Sequence, residues 1–423
     1  MRYDSNIPEP ERAKRAACLY NSSRIQNTSR SQGARAHMHI AINAWFWDQV
    51  YTGSGQYVRE LVRALWRLRQ AETPYADLKL SLIMPNRAQP PADVPEGVQV
   101  VRVRVGNGQL GKVWFEQRTF PRVAGQLGAQ IAHVPYWAAP LSAPTRLVVT
   151  VHDVIPLSMP AYQGGLGARL YFSLVRASAA GVAHIITDSE FSKQEIVQHI
   201  GVPAEMVTSI PLATSAAFHP RLGAERDAEV RRKYNLPEGY ALYLGGFDVR
   251  KNLRALIAAY TYVGPSVGDE YPLVLAGKAP EQWGTARFPD LPAEIAAREG
   301  LAQWIRWIGA VAEEDKPALY RMARLFVMPS RYEGFGFGVL EAMACGTPVV
   351  AANASSLSEV AGEAAYLVSP DDSRQLGGAI IAVLIQDDLH ASLRNLGLAR
   401  ATNFSWERTA RETYAIYDQV LAR

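Results

Sequence analysis

Residues 324–353 read RLFVMPSRYEGFGFGVLEAMACGTPVVAAN. An apolar run reaches Pro329, a loop with glycines at 334, 336 and 338 follows, and a short helix carrying Glu341 ends near Gly346 before a second apolar run. Strand, loop, helix and strand in this order make one parallel βαβ step. The glycines let the backbone approach a ligand closely, and the unpaired N–H groups of a helix opening at Phe337 favour an anion. Glu333 and Glu341 flank this cradle, and carboxylates are strong acceptors for sugar hydroxyls.

The same alternation runs outward in both directions. Strands are expected at 240–245, 271–276, 305–309, 324–329, 347–352 and 365–368, with helices near 251–262, 313–323, 337–345, 374–386 and 388–402. In the first half strands are expected at 39–46, 78–84, 98–105, 131–135, 146–151, 184–188 and 207–211, with helices near 55–70, 166–181 and 189–200. Short Val/Ile/Leu runs alternating with amphipathic helices indicate parallel sheets covered by helices. The fold class is α/β, with two Rossmann-like, doubly wound domains in tandem, facing across a deep cleft. Their expected bounds are 38–215 and 240–405. A polar linker with one short helix spans 216–239, and a last helix is expected at 406–421. Ligands of such sheets bind beyond the carboxyl ends of the strands, so the chemistry belongs to the post-strand loops.

At 423 residues the chain suits two domains rather than one small module. Forty-four Lys and Arg against 40 Asp and Glu leave a charge of +4, too little to argue for nucleic-acid binding. Two cysteines, Cys18 and Cys345, make neither a disulfide framework nor a metal motif, and a reducing compartment follows. No apolar run approaches the ~18 residues of a membrane span, and the first residues lack a secretory h-region, so a cytoplasmic protein is expected. Residues 1–37 are polar and basic without apolar periodicity. They read as a disordered extension, with Met38 as an alternative start.

Other post-strand segments supply further candidates. YALYLGGFDVRKNL, 240–253, delivers Arg250 and Lys251 to a helix start, where fixed cations stabilise a departing diphosphate. TRLVVTVHDVIPL places His152 and Asp153 after a strand, and in IITDSEFSKQEI Ser189 is set to cap a helix. Gly53 and Gly55 give half of a dinucleotide fingerprint whose third glycine position holds Val58, which argues against NAD binding. Asn43, Trp45, Trp47, Tyr136 and Trp137 lie near strand ends, where aromatic faces suit sugar rings; they are candidates for the acceptor pocket, with core packing the stronger alternative for each. Arg59, Arg63 and Arg67 form a basic helix stripe suited either to anionic lipid or to solvent. The sequence has no D-x-D, H-E-x-x-H or paired C-x-x-C metal motif.

The 331–353 segment resembles the retaining glycosyltransferases of family 4, which have the GT-B fold, and Glu333 and Glu341 match that family's E-x7-E signature. The resemblance implies that Glu333 holds the donor sugar and Glu341 the ribose, with Gly336, Phe337 and Gly338 at the sugar and phosphate. It further implies Lys251 as the phosphate lysine, His152 at the donor sugar, Gly53 and Gly55 facing the donor phosphate, and the helix at 406–421 crossing back onto the first domain. Where many members carry an arginine five residues before the lysine, this chain has Gly246; Arg250 either compensates or faces solvent. The R-K-N and H-D-x-x-P forms resemble bacterial mannosyltransferases of surface-polysaccharide assembly. The implied reaction is metal-independent transfer of a hexose from a nucleotide sugar, GDP-mannose first and UDP-sugars next, to a saccharide or lipid-linked acceptor. No cofactor is expected, the nucleotide sugar being a co-substrate, and peripheral contact with an anionic membrane is a further expectation. A silent nucleotide-sugar-binding scaffold and an NAD-dependent oxidoreductase are the alternatives.

Overall fold

The computed structural model describes residues 37–49, 52–86, 93–106, 108–137, 139–162, 164, 166–179, 181–221 and 223–423. The expected N-terminal extension and alternative start therefore lie outside the described residues. Among the described residues, thirteen strands build two sheets, and every pairing is parallel. The first holds β1 (His39–Asn43), β2 (Lys79–Pro85), β3 (Gln99–Val103), β4 (Ile131–Val134), β5 (Arg146–Thr150), β6 (His184–Thr187) and β7 (Val207–Ser209), in the order β3-β2-β1-β4-β5-β6-β7. The second holds β8 (Ala241–Leu244), β9 (Leu273–Ala276), β10 (Ile305–Gly309), β11 (Leu325–Met328), β12 (Val349–Ala352) and β13 (Tyr366–Val368), in the order β10-β9-β8-β11-β12-β13.

Strand order reverses between β1 and β4 in one sheet and between β8 and β11 in the other. Crevices open at such reversals. Central strands such as β9, β11 and β12 are buried along their length, which is why they read as unbroken apolar runs rather than alternating ones.

The helix Gly53–Ala71 shows how sequence fixes the layers. Thr52 caps it by accepting from the Gly55 N–H at 3.1 Å, and Tyr57, Val58, Leu61, Val62, Leu65 and Leu68 form its buried face. Truncating Leu61, wholly buried, to alanine should cost about 2–5 kcal/mol. The last helix, Trp406–Ala422, lies against this one. Arg411 pairs with Glu72, Tyr417 Oη is 2.7 Å from His133 Nδ1, and Thr409 donates to the Pro211 carbonyl. Between the sheets, the helix Ala224–Lys233 is tied to the second-sheet layer by Asp227 with Arg321. Asp315 there receives Arg226, Lys233 and Tyr234.

The helical stretch from Gly108 to Gln126 was not foreseen. It is broken by a π turn at Phe115–Thr119 and opens on glycines.

Candidate active site

Loops after both switch points converge on one cavity of about 670 Å³. From the second sheet come Arg250 and Lys251 after β8, and Glu333 to Gly338 after β11. From the first come Phe46 and Gly53 after β1, Tyr136 and Trp137 after β4, His152 and Asp153 after β5, and Asp188 after β6.

Glu333 is 8 % exposed and is gripped by two cations: Lys251 Nζ lies 2.6 Å from Oε1 and Arg250 Nη1 2.7 Å from Oε2. Burial works against the carboxylate, but Lys251 and Arg250 outweigh it and hold the carboxyl down to about 2. Arg250 also pairs with Asp248 at 3.1 Å, so its guanidinium faces the cleft rather than solvent. Backbone contacts fix the loop: Glu333 N–H donates to Ser355 Oγ, and Ser356 Oγ donates to the Glu333 carbonyl at 2.8 Å.

Gly336 stands at the N-terminus of the helix Phe337–Ala344 with φ 108°, a left-handed conformation that side chains resist. The freed helix-start N–H groups border the cavity. Glu341, one helical face on, is 7 % exposed and accepts from Tyr320 Oη at 2.9 Å. Burial pushes its carboxyl up, and Lys316 and Tyr320 oppose that rise.

Of the candidates read from sequence, Glu333, Glu341, Arg250, Lys251, His152, Gly336, Phe337, Gly338, Gly53, Tyr136 and Trp137 all line this cavity. Asn43, Trp45, Trp47 and Gly55 do not. Asn43 is wholly buried and its Oδ1 accepts from Trp45 N–H; Trp45 packs on Phe115; Trp47 Nε1 donates to Asp93 at 3.0 Å. These three belong to the core beneath the loop. Gly55 is demanded by packing, because a Cβ there would fall 2.1 Å from the Gln49 carbonyl oxygen.

Sequence reasoning missed Phe46, Lys112, Lys316, Tyr320 and Asp188 in the lining. Lys112 lies over the Phe46 and Tyr136 rings, 5.0 and 5.3 Å from their centroids, and forms a polar and aromatic wall on the first-sheet side. Asp188 directly follows β6, just before the capping Ser189, and its position at a strand's carboxyl end was the available signal. Ser189 does cap its helix, accepting from Ser192 N–H at 3.0 Å.

Two arginines of the stripe expected to face lipid or solvent are engaged, Arg59 with Asp93 and Arg63 with Asp93 and Glu60, while Arg67 is exposed.

Two profiles match end to end. Glycosyltransferase Family 4 covers residues 51–217 and Glycosyl transferases group 1 covers 226–399. Over 273 residues the chain is 38 % identical to O-antigen chain mannosyltransferase B of Escherichia coli, an alignment spanning 64 % of this chain and 70 % of that protein. It is 31 % identical to the serotype-specific mannosyltransferase WbdA of Escherichia coli over 64 % of this chain, but over only 33 % of WbdA. The fold is shared with sucrose-phosphate synthase from Thermosynechococcus elongatus (TM-score 0.69, 22 % identity, 91 % of this chain and 99 % of that one). It is shared as well with Anabaena HepE in complex with UDP (TM-score 0.66, 18 % identity, 90 % and 99 %). The N-terminal profile falls on the layer that carries His152 and the C-terminal one on the layer that carries Glu333 and Glu341, and with them the chain belongs to the group 1 glycosyl transferases of family 4.

Proposed function

We propose that this glycosyltransferase moves mannose, with retention of configuration, from GDP-mannose to a saccharide or lipid-linked saccharide during surface-polysaccharide assembly. The observation that carries this reading is the buried Glu333 held between Lys251 and Arg250, facing a glycine-opened helix N-terminus, with Glu341 on the same helix. The mannosyltransferase relatives support mannose, and the UDP bound by HepE keeps a UDP-sugar as the second choice.

In this reading the helix Phe337–Ala344 offers its N–H groups to the diphosphate and Glu341 accepts the ribose hydroxyls. The phosphates draw Lys251 and Arg250 away from Glu333, which frees that carboxylate to orient the sugar. Arg250 thereby takes the place of the arginine missing at Gly246. The acceptor oxygen bonds to C1 on the face that the phosphate leaves; the C1–O bond to phosphate breaks, and the acceptor proton passes to the departing phosphate oxygen. Lys251 and the helix-start amides stabilise that oxygen, a kind of assistance worth roughly 10²–10³ in rate. Closure of the two layers excludes water. No metal or cofactor enters these steps, and activity unaffected by EDTA is expected.

The acceptor side is the wall of Phe46, Lys112, Tyr136 and Trp137. Lys112 lies on the helix Gly108–Trp114, whose opposite face exposes Leu110 (86 %) and Trp114 (66 %). Between Gly97 and Arg146 the chain carries six Lys and Arg against one acid, the buried Glu116. An exposed Trp and Leu among cations suit the interface of an anionic bilayer, which would supply a lipid-linked acceptor at the cleft mouth. Among the described residues no single helix is long and apolar enough to cross a membrane, so this contact is peripheral in the proposal.

The test is a thermal-shift panel of GDP, UDP, ADP and NAD on the wild type and Glu341→Ala, followed by NMR of the product's anomeric centre. Stabilisation by GDP that Glu341→Ala removes, with an α-linked product from an α-linked donor, is expected. Stabilisation by NAD alone would overturn the reading in favour of an oxidoreductase. Binding of GDP with no transfer to any acceptor would favour the scaffold.

A further inference from the structure

His152 and Asp188 leave the carboxyl ends of neighbouring strands. β5 and β6 pair with Thr150 opposite Ile186, and each residue lies two positions beyond that pair. The imidazole Nδ1 lies 2.8 Å from Asp188 Oδ2, with side-chain exposures of 19 % and 4 %. Among the described residues, Asp188 Oδ1 has no hydrogen-bond partner, although it is buried, and both residues line the cavity. The Tyr57 ring closes the other side, edge-on to the imidazole with centroids 4.8 Å apart.

We propose that Asp188 is the positioning residue of His152, fixing its ring in the cleft and holding a proton on Nδ1. A carboxylate taken out of water is costly unless a donor meets it, and His152 is the donor that this one has. The imidazole is bound in turn: with Tyr57 against its edge and Asp188 at Nδ1, rotation about the ring axis is closed off, and the Nε2 edge keeps one orientation.

The groups facing the ring are few. They are Asp188 after β6, Asp153 on its own loop, the Pro135 carbonyl, His133 from β4 and Tyr57 from the helix Gly53–Ala71. Burial favours neutral His152, but Asp188, followed by Asp153 and the Pro135 carbonyl, outweighs it and the imidazole is shifted up. His133 is pushed down to about 3 by burial, so it adds no competing charge at neutral pH. Burial pushes the Asp188 carboxyl up as well and His152 opposes that rise, so the pair shares a proton carried by the Nδ1 to Oδ2 contact.

The inference rests on the proposal that His152 serves the transferred sugar, and the experiment separates the two. The imidazole signals of the histidine-labelled full chain are titrated by NMR, with His152 assigned by its loss in His152→Gln. Hydrolysis of GDP-mannose and binding of GDP are measured on the same samples. Asp188→Asn is expected to lower the His152 midpoint by at least one pH unit and cut turnover tenfold or more with GDP binding kept. Asp188→Glu, which keeps the charge on a longer arm, is expected to leave the midpoint raised while turnover still falls. In the His152→Gln background Asp188→Asn should change turnover less than twofold. A midpoint unmoved in Asp188→Asn, or losses that multiply in the double variant, would overturn the inference. If Asp188→Asn fails to fold, Asp188→Glu carries the test alone, and full turnover in it counts against positioning. Turnover retained in His152→Gln would instead remove the role of His152, leaving the midpoint to judge Asp188.

Discussion

Gly334, in the loop after β11, lies so close to His152, after β5, that a Cβ on the glycine would sit 2.5 Å from the His152 carbonyl oxygen. The carbonyl of Gly334 in turn accepts from Ser189 Oγ at 2.8 Å and Ser192 Oγ at 3.0 Å, both from the first-sheet layer. The two halves of the cavity are thus registered by backbone within one residue of Glu333. Gly334→Ala should force them apart. Overpacking of this kind costs roughly 1–3 kcal/mol, and here it acts on the closed arrangement in which transfer would occur. Donor turnover is expected to fall tenfold or more while the GDP-induced melting shift changes little, and steady-state kinetics beside thermal shift check it. Unchanged turnover would show that the contact is not needed.

Glu333 links stability to acid. Its carboxyl is held at about 2 in the folded chain against an ordinary 4.5, so it stabilises the fold fully above pH 4.5 and the contribution is lost as pH falls through 2. The shift corresponds to about 3 kcal/mol. Glu333→Gln removes the charge and leaves Lys251 and Arg250 facing an amide. Urea unfolding from pH 7 to pH 3 should show a stability gap between wild type and variant that is widest near neutrality and narrows towards pH 3. A constant gap would mean that the cations do not hold the carboxylate.

What could be read from the sequence divides along a physical line. Glu333, Glu341 and Lys251 were legible because each is set by a local unit: a strand end, a glycine turn and a helix start within about ten residues. The central strands were legible because burial on both faces makes them contiguous apolar runs. Trp45 and Trp47 were not, since a strand end does not say into which layer an aromatic ring turns. Asp188 escaped because its meaning comes from His152, thirty-six residues away, and only the β5–β6 pairing brings the two together. The helices at Gly108–Trp114 and Phe120–Gln126 escaped because the π turn between them shifts the apolar period that a helix is read by.

Tyr320 and Glu341 make a smaller, sharper test of the ribose end. Tyr320 is wholly buried and donates to Glu341 Oε2 at 2.9 Å, which leaves the other carboxylate oxygen for a ligand. Tyr320→Phe removes one hydrogen bond to a charged group, worth roughly 1.5–3 kcal/mol, without emptying the site. GDP affinity should weaken by about tenfold, less than in Glu341→Ala, and the two losses should not add in the double variant. Calorimetric titration of the four proteins checks this. Additive losses would mean that Tyr320 acts elsewhere.

The bilayer contact is tested by breaking its apolar and cationic parts separately. Leu110→Ser with Trp114→Ser removes the exposed apolar pair, and Arg118→Glu with Arg122→Glu reverses two exposed charges on the neighbouring segment. Wild type should sediment with vesicles containing phosphatidylglycerol at low salt and not with pure phosphatidylcholine. The charge variant should lose binding at every salt concentration, because attraction to the anionic surface contributes about 1 kcal/mol per cation near it. The Leu110/Trp114 variant should retain weak, fully salt-sensitive binding, since only the apolar insertion is gone. Hydrolysis of GDP-mannose should be unchanged in both variants, because none of the four residues lines the cavity. If light scattering instead finds a wild-type dimer that Leu110→Ser with Trp114→Ser dissociates, and no vesicle binding at low salt, then the face is covered by a second copy of the chain and the membrane proposal fails.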